Sequence, residues 1–425
     1  ICCWFSISSS YDDLLIFKNE NTLNFKDILN FLRHLSVYFC LFFLFMIMFI
    51  HKKKIFFKKY IIFYLLIAYF ITQLIGLFST NNSLGNISFI VSALSTILTL
   101  LLIDIFFLPR EKKFFLFISF VILNLVFFLT FIPLFIEFLN GGTIIYGVHQ
   151  HSEFFLNKYS PRSSGLARTA LIILIFIEYF ENNYKKYSYQ LIFIKILFLI
   201  FILLFQSRTI LFLTLVVYSF IFISKYEMKI KSLIKFITIY FFIPILIFFI
   251  LSSLNSFKNS KEIELNQTNS SLSEHITSGD LKIFRKISKD ISSGRFEDWK
   301  EILKKIKGKN IFYGFGPQGD RYLINQSASN GLIYAYASSG LIGLIFFTIF
   351  IIIVSLKFTK IILYNFKDDL STVLLCLILM LLTLRSTLES SFAVYSIDLM
   401  VFITVLSFIF DRKISIEDIK NKLLR

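Results

Sequence analysis

The chain is poor in several residue types, and each scarcity narrows what it can be. Proline occurs five times, and only Pro133 and Pro244 fall inside apolar runs. No stretch near the start combines a short apolar run with a small-residue cleavage site, so no secretory signal peptide is predicted. The sequence begins without methionine, from which we expect its natural N-terminus to be missing. The four cysteines match no metal-binding spacing: Cys2, Cys3, Cys40 and Cys376.

Acidic residues are also scarce, with 27 Asp and Glu against 44 Lys and Arg, for a formal net charge of +17. Such an excess can attract nucleic acid. Here most basic residues lie in short loops between apolar runs, where the positive-inside rule already accounts for them. We therefore predict no nucleic-acid partner.

Apolar residues dominate instead, at 56% of the chain with 56 phenylalanines, and the mean hydropathy is +0.74. A soluble fold cannot bury that much apolar surface, so most of the solvent must be lipid. The apolar runs do not alternate with period two, so they predict helices rather than a barrel. We predict an all-α polytopic membrane protein with eleven transmembrane helices, and twelve in the full-length chain. The spans are expected near 34–50, 60–78, 87–108, 114–139, 165–180, 190–206, 209–224, 233–254, 330–356, 371–384 and 392–410.

The loops between these spans differ strongly in charge from one side to the other. One set is rich in lysine, as in Lys52-Lys53-Lys54, whereas the alternating short loops carry few basic residues. This asymmetry predicts that the lysine-rich set is cytoplasmic and that the long loop is external, or periplasmic. The predicted regions are an N-terminal transmembrane region over 1–254 with eight spans, the external loop over 255–329, a C-terminal transmembrane region over 330–410 with three spans, and a basic cytoplasmic tail over 411–425.

The external loop is predicted to contain two amphipathic helices after a flexible polar stretch over 255–278. Such helices either pack their apolar stripe on the membrane portion or lie at the interface beside anionic lipid head groups, and both can hold. The first stripe comprises Leu281, Phe284, Ile287 and Ile291. The second comprises Phe296, Trp299, Ile302, Leu303 and Ile306, with Lys300, Lys304, Lys305 and Lys307 opposite.

Four arginines on the external side are predicted to lie at one membrane level: Arg162, Arg208, Arg295 and Arg385. A guanidinium group grips phosphate with two parallel hydrogen bonds. A single arginine of this kind usually extends from a span end to the interface. Four together favour a site for a lipid-linked phosphate.

Two further motifs have ordinary explanations. Gly314-Phe-Gly316-Pro-Gln-Gly319 matches the dinucleotide fingerprint, but no strand precedes it, so a glycine-rich turn against a ligand or an adjoining helix is expected. His149-Gln-His151 lacks a nearby carboxylate cluster and is interpreted as a polar loop rather than a metal site. Asp104 and Asp398 lie inside spans, where the ordinary role is a buried partner of Arg or Lys.

The order of these motifs resembles the O-antigen ligase and polymerase family, the Wzy/WaaL-type membrane glycosyltransferases. The matching features are Arg162 to Gly165, Ser207-Arg208, Gly294-Arg295 with Trp299, the Gly314/Gly316 turn, and Asn330 before Gly340 and Gly343. The resemblance covers roughly residues 140–395. In the ligase branch a histidine usually precedes the Asn, whereas this chain has Ser329. A hydroxyl cannot replace imidazole as a base near neutral pH, so the polymerase branch is favoured.

The resemblance implies a metal-independent transfer without cofactor at the outer side of the bacterial inner membrane. Glycan on undecaprenyl pyrophosphate is transferred to a sugar hydroxyl of a second lipid-linked repeat unit. The implied partners are this lipid-linked oligosaccharide, membrane lipids and a chain-length regulator. Arginines are expected to stabilise the leaving pyrophosphate.

The expected catalytic residues are Arg162, Arg208, Arg295, Glu389 and His151. Other candidates for the base are His149, Glu153 and His275. The expected substrate-binding residues are Arg385, Trp299, Gly314, Gly316 and Asn330.

Three alternatives remain open. A ligase would transfer glycan to lipid A core or to a protein, and the missing histidine argues against it. A lipid-linked oligosaccharide flippase would favour inverted repeats and helices broken by Gly or Pro, and no repeat is evident. A structural membrane protein would leave the arginines on one side unexplained.

Overall fold

A computed structural model describes the helical parts of the chain. The described residues are 38–50, 61–77, 90–101, 109–139, 163–184, 188–205, 207–225, 230–253, 295–324, 328–365, 369–387 and 389–409, with gaps in 38–50, 90–101, 230–253 and 389–409. All regular structure in these residues is helical, which confirms the predicted all-α class. The predicted helix over 281–291, Asp104 and the residues from 141 to 162 lie outside the described residues.

We label the helices α1 to α12 in chain order. They are α1 Ile61–Leu77, α2 Pro109–Leu139, α3 Ser163–Tyr184, α4 Ser188–Leu204, α5 Arg208–Lys225, α6 Ile230–Ile237, α7 Arg295–Lys305, α8 Asn310–Tyr313, α9 Gly319–Ile324, α10 Gly331–Asn365, α11 Leu370–Ser386 and α12 Ile397–Ile409. A π-helical turn over Thr238–Phe242 follows α6, and helical residues continue to 251.

Four helical stretches in the described part of the chain are long and apolar enough to cross a membrane: Glu111–Ile132, Arg208–Lys225, Ser232–Leu251 and Gly331–Asn365. Shorter apolar helices occupy Ile61–Leu77, Gln190–Leu204, Leu370–Ser386 and Ile397–Ile409. The predicted spans from 60–78 onward, apart from 87–108, each coincide with a helix. The count of eleven spans stays a prediction.

Backbone contacts divide the chain into two compact units. Unit 1 comprises Ile1–Ser119, Asp290–Asn365 and Leu375–Arg425, and unit 2 comprises Phe120–Lys289 and Phe366–Leu374.

In unit 1, α1 packs along α10. The Tyr69 ring lies 4.8 Å from the Phe347 ring, and its hydroxyl donates to the carbonyl of Ala393 at 3.0 Å. The Phe350 ring packs 5.6 Å from that of Phe402 in α12. Aromatic side chains of α1, α10 and α12 therefore form the core that supports the loop helices α7 to α9.

Unit 2 has an aromatic core between α2 and α4, where Phe131 lies 4.2 Å from Phe201 and Phe127 lies 5.3 Å from Phe198. It also contains a group of four charges, of which Lys195 and Glu178 are buried. Lys195 Nζ lies 2.6 Å from Glu178 Oε1 and 2.5 Å from Glu181 Oε2. Lys225 Nζ lies 2.9 Å from Glu181 Oε2 and 3.5 Å from Glu178 Oε2. Two positive and two negative groups therefore compensate each other between α3, α4 and α5.

Candidate site at the start of helix α10

The loop that leads into α10 is held at the peptide unit of Ala328. Its N–H donates to Asp320 Oδ2 at 2.7 Å, and its carbonyl accepts from Trp299 Nε1 at 2.6 Å. Ala328 is completely buried. Because α7 and α9 each supply one of these bonds, the backbone just before α10 is fixed from two directions.

Asp320 is a buried carboxylate in this loop region that the sequence did not single out. It is 1% exposed, and its Oδ1 has no hydrogen-bond partner among the described residues. Burial raises the pKa of the Asp320 carboxyl above its ordinary value, although the hydrogen bond from the Ala328 N–H opposes this. Its position directly after Gly319, in a loop of small residues, is only a weak sequence signal.

Asn330 begins α10 and also joins it to the turn after α11. Its Oδ1 accepts from the N–H groups of Leu332 at 2.8 Å and Ile333 at 3.1 Å, as an N-cap does. Its Nδ2 donates to the carbonyl of Thr387 at 2.8 Å. Ser329, the residue before it, has a left-handed backbone with φ of 49°. A serine in this conformation carries strain of the kind that clusters at functional sites.

Helix α10 is broken at Gly340, whose φ is 64° and ψ is −164°. The break leaves carbonyls of the first segment without their helical partners, and the preceding loop supplies replacements. The Phe315 N–H donates to Ala337 O at 2.9 Å, and the Gly316 N–H donates to Ser338 O at 2.8 Å. Irregular backbone inside a spanning helix is tolerated where protein satisfies the exposed groups in this way.

The Gly314/Gly316 turn is consequently occupied by protein contacts. The Gly314 N–H donates to Asn310 O at 2.9 Å, and a Cβ at Gly314 would come within 2.5 Å of the Ser338 carbonyl carbon. Contact with an adjoining helix, one of the two roles that the sequence left open, is therefore observed. Substrate binding by Gly314, Gly316, Trp299 and Asn330 stays a prediction.

The last turn of α11 carries a buried guanidinium group, which lies between two carboxylates. Arg385 Nη1 donates to Asp398 Oδ2 at 3.0 Å, and Arg385 Nη2 is hydrogen-bonded to Glu389 Oε2. Asp398 was expected to be a buried partner of Arg or Lys, and this contact confirms it. Arg385 and Asp398 are 2% and 1% exposed, whereas the Glu389 side chain is 20% exposed. Glu389 is thus the member that a ligand can reach.

Asn330 and this charged cluster are neighbours. Thr387, which accepts from Asn330, lies two residues from each of Arg385 and Glu389. A backbone hydrogen bond closes the turn that contains Thr387: the Glu389 N–H donates to Arg385 O at 2.8 Å. The start of α10 and the Arg385–Glu389–Asp398 cluster therefore form one polar region in unit 1.

The other predicted arginines lie at the starts of two further helices or outside the described residues. Arg295 is the first residue of α7 and is half-buried, in unit 1. Arg208 is the first residue of α5 and is exposed, in unit 2. Arg162 and His151, together with His149, Glu153 and His275, lie outside the described residues. The convergence of four arginines at one membrane level stays a prediction.

The described residues contain no group of three His, Cys, Asp or Glu side chains arranged to hold a metal ion. The polar side chains instead surround the start of one long apolar helix. Fold and site together define an all-helical membrane protein with a polar region at the end of a span.

Residues 193–348 match the family described as Wzy_C, O-Antigen ligase. The match covers more than a third of the chain and includes Arg208, Arg295, Trp299 and Asn330. Over these residues the chain is similar to the O-antigen ligase/polymerase family. The similarity is to a glycosyltransferase-like family that acts on lipid-linked polysaccharides, and the apolar helices indicate a membrane protein. No curated protein matches the chain, and no solved structure does.

Proposed function

We propose that the chain is a surface-polysaccharide polymerase. It transfers glycan from undecaprenyl pyrophosphate to a sugar hydroxyl of a lipid-linked repeat unit at the external side of the inner membrane. The observation that carries the proposal is the Arg385–Glu389–Asp398 cluster beside the start of α10, in a chain whose residues 193–348 are similar to the O-antigen ligase/polymerase family.

This transfer needs a group that accepts the proton of the attacking hydroxyl. Glu389 is the best candidate, because its carboxylate is the most accessible of the cluster, with 20% of the side chain exposed. Arg385 orients it through their hydrogen bond and is itself held by Asp398. In this scheme Arg385 is a positioning residue rather than a direct ligand of phosphate, since both ends of its guanidinium group are bonded to carboxylates.

The transfer also needs positive charge at the departing pyrophosphate. Arg208 and Arg295 are assigned to this role, with Arg162 as the third arginine of the sequence motif. Arg208 is exposed at a helix start, where the N-terminal end of the helix dipole adds to its attraction for an anion.

Ser329 favours a polymerase over a ligase. It lies directly before Asn330, at the position where ligases usually carry histidine, and its hydroxyl cannot act as a base near neutral pH. The second candidate function is a ligase that transfers glycan to lipid A core, because the matching family is described as an O-antigen ligase.

The test is complementation of a bacterial strain that lacks its own polymerase and makes the matching repeat unit. We expect the wild-type chain to restore a ladder of long glycans on a gel, and the empty vector to leave core with a single repeat. Core with a single repeat in the strain that carries the wild-type chain, as with the empty vector, would contradict polymerase activity.

The variants Glu389→Gln, Arg295→Ala and Arg208→Ala should lose the ladder at normal protein levels. Matched controls are Glu297→Gln and Lys309→Ala, which remove exposed charges of the same kind in unit 1. Both should retain the full ladder. A complete ladder in Glu389→Gln would exclude it as the base, and a complete ladder in both arginine variants would exclude their role at the pyrophosphate.

A further inference from the structure

The apolar residues of α7, which the sequence predicted as one stripe, divide into a buried part and an exposed part. Trp299, Ile302 and Ile306 point inward, and Ile302 and Ile306 belong to a buried cluster with Ala328. Phe296 and Leu303, predicted to share that face, are instead 58% and 48% exposed. That part of the predicted stripe is wrong. At 100° per residue, Phe296 and Leu303 lie about 120° and 100° from Ile302.

On the helical wheel, two lysines lie beside the exposed apolar pair. On the helical wheel Phe296, Lys300, Leu303 and Lys304 fall within an arc of about 100°, and all four are exposed. We call these four residues the α7 stripe. Among the described residues neither lysine of the stripe has an ion-pair partner, whereas Lys305, on another side of α7, contacts Glu301 at 2.6 Å and Leu323 O at 2.7 Å.

The stripe lies at the level where a membrane span begins. Trp299 in α7 bonds to the carbonyl of Ala328, which is three residues before the long apolar helix Gly331–Asn365. Three residues of backbone cover at most about 10 Å. Helix α7 is therefore tied close to the start of this candidate membrane span.

These observations define the chemistry of the surface that the stripe fits. Large apolar side chains flanked by lysines on one helical face are typical of helices that lie in a membrane interface. Lysines near an anionic membrane surface strengthen binding by about fivefold each. The lysine stems can lie along the apolar boundary while their ammonium groups reach the head groups.

We propose that the α7 stripe docks onto anionic phospholipid. Phe296 and Leu303 enter the acyl boundary, and Lys300 and Lys304 contact the phosphate groups of phosphatidylglycerol-type head groups. This contact fixes α7, and with it the Ala328 peptide, relative to the bilayer. The proposal concerns lipid binding and does not depend on the reaction that the protein catalyses.

The test uses Trp299 as its probe. The chain has two tryptophans, so a Trp4→Phe variant leaves Trp299 as the sole fluorophore. It is reconstituted in nanodiscs containing equal amounts of phosphatidylglycerol and phosphatidylcholine, with bromine on the acyl chains of one lipid or the other. The two kinds of nanodisc thus have the same proportions of the two lipids, and they differ only in which lipid carries the bromine.

We expect brominated phosphatidylglycerol to quench Trp299 several-fold more strongly than brominated phosphatidylcholine. Lys300→Gln/Lys304→Gln should bring the two lipids close to equality. Lys305→Gln is the matched control, since it removes one positive charge from another side of α7, and it should keep the preference. Leu303→Ser should lower quenching by both lipids while keeping their ratio.

Three results would overturn the proposal. Equal quenching by the two lipids in the unsubstituted stripe would exclude selective binding of anionic phospholipid. No quenching by either would mean that the stripe faces water or another part of the chain. If undecaprenyl pyrophosphate added to the discs abolished the preference at a low molar ratio, the stripe would belong to the substrate site. Because none of these readouts requires glycan transfer, failure of the polymerase proposal would leave them unchanged.

Discussion

At the scale of single residues, the charged form of Asp320 is favoured by a hydrogen bond and disfavoured by burial. It must accept a hydrogen bond from Ala328, yet its carboxylate is buried and has an unpaired oxygen among the described residues. Since burial raises its pKa, the folded protein binds a proton there more readily than the unfolded chain does. Between the unfolded and the folded pKa, the native state therefore loses stability as the pH rises.

We predict that Asp320→Asn removes this pH dependence and keeps the fold, because the amide oxygen still accepts from the Ala328 N–H. Asp320→Ala leaves that N–H buried without an acceptor, which costs about 1–3 kcal/mol. Thermal unfolding in detergent from pH 4 to pH 8 measures both effects. An Asn variant whose melting temperature follows pH as the wild type does would show that Asp320 is not the titrating group.

The sequence identified several site residues but not their contacts. Arg385, Asp398 and Glu389 could be selected because ionisable groups in or beside apolar helices are rare. Their mutual pairing was only partly predictable, since it depends on how the turn after α11 closes. Asp320 was missed because an Asp in a polar loop is ordinary until burial is known. Asn330 was recognised from its motif, whereas its bond to Thr387 joins residues far apart in the chain.

At the scale of elements, the break in α10 makes glycine necessary at Gly340. Its backbone conformation is one that essentially only glycine adopts, and a Cβ would overlap the backbone of Phe312. We predict that Gly340→Ala strongly lowers the melting temperature and the amount of folded protein in the membrane. The helix cannot straighten without losing the two hydrogen bonds that the loop donates to Ala337 O and Ser338 O.

Gly308 provides a matched control for this prediction. It also has a positive φ, of 61°, but a Cβ there would meet nothing within 4 Å. Gly308→Ala should therefore cost only about 1 kcal/mol from the backbone conformation. If the two substitutions were equally mild, the packing of the loop into the break would not contribute to stability.

A second prediction at this scale concerns the four charges of unit 2, two of which are buried. Lys195→Met leaves Glu178 and Glu181 with Lys225 alone, and an uncompensated buried charge typically costs about 3–5 kcal/mol. We expect a large drop in melting temperature. Lys195→Met/Glu178→Gln restores charge balance and should recover much of it. A double variant less stable than Lys195→Met would contradict charge compensation as the role of this group.

The helices themselves were predictable because long apolar runs in lipid have few alternatives to the α-helix. Their ends were less so: α10 runs to Asn365, nine residues beyond its predicted end. The π-helical turn in Thr238–Phe242 and the break at Gly340 depend on packing that hydropathy does not contain. The buried side of α7 was also only partly predictable, because its buried and its exposed apolar residues look alike in sequence.

At the scale of the whole molecule, the loop charges predict which side of the membrane carries the polar region. Helix α10 allows this prediction to be tested within one element. From Gly331 to Thr359 it rises roughly 42 Å at 1.5 Å per residue, more than the hydrocarbon core of about 30 Å. Lys309, before α10, and Thr359, near its end, should therefore lie on opposite sides, and both are exposed.

We predict that Lys309 lies outside the inner membrane and Thr359 inside. In a variant in which the four native cysteines are replaced, Lys309→Cys should react with a membrane-impermeant maleimide in intact spheroplasts. Thr359→Cys should react only after the membrane is permeabilised, and the glycan ladder shows whether each variant is active. The reverse labelling pattern would place the Arg385–Glu389–Asp398 cluster on the cytoplasmic side and exclude external polymerisation. Labelling of both positions in intact spheroplasts would instead show that Gly331–Asn365 does not cross the membrane.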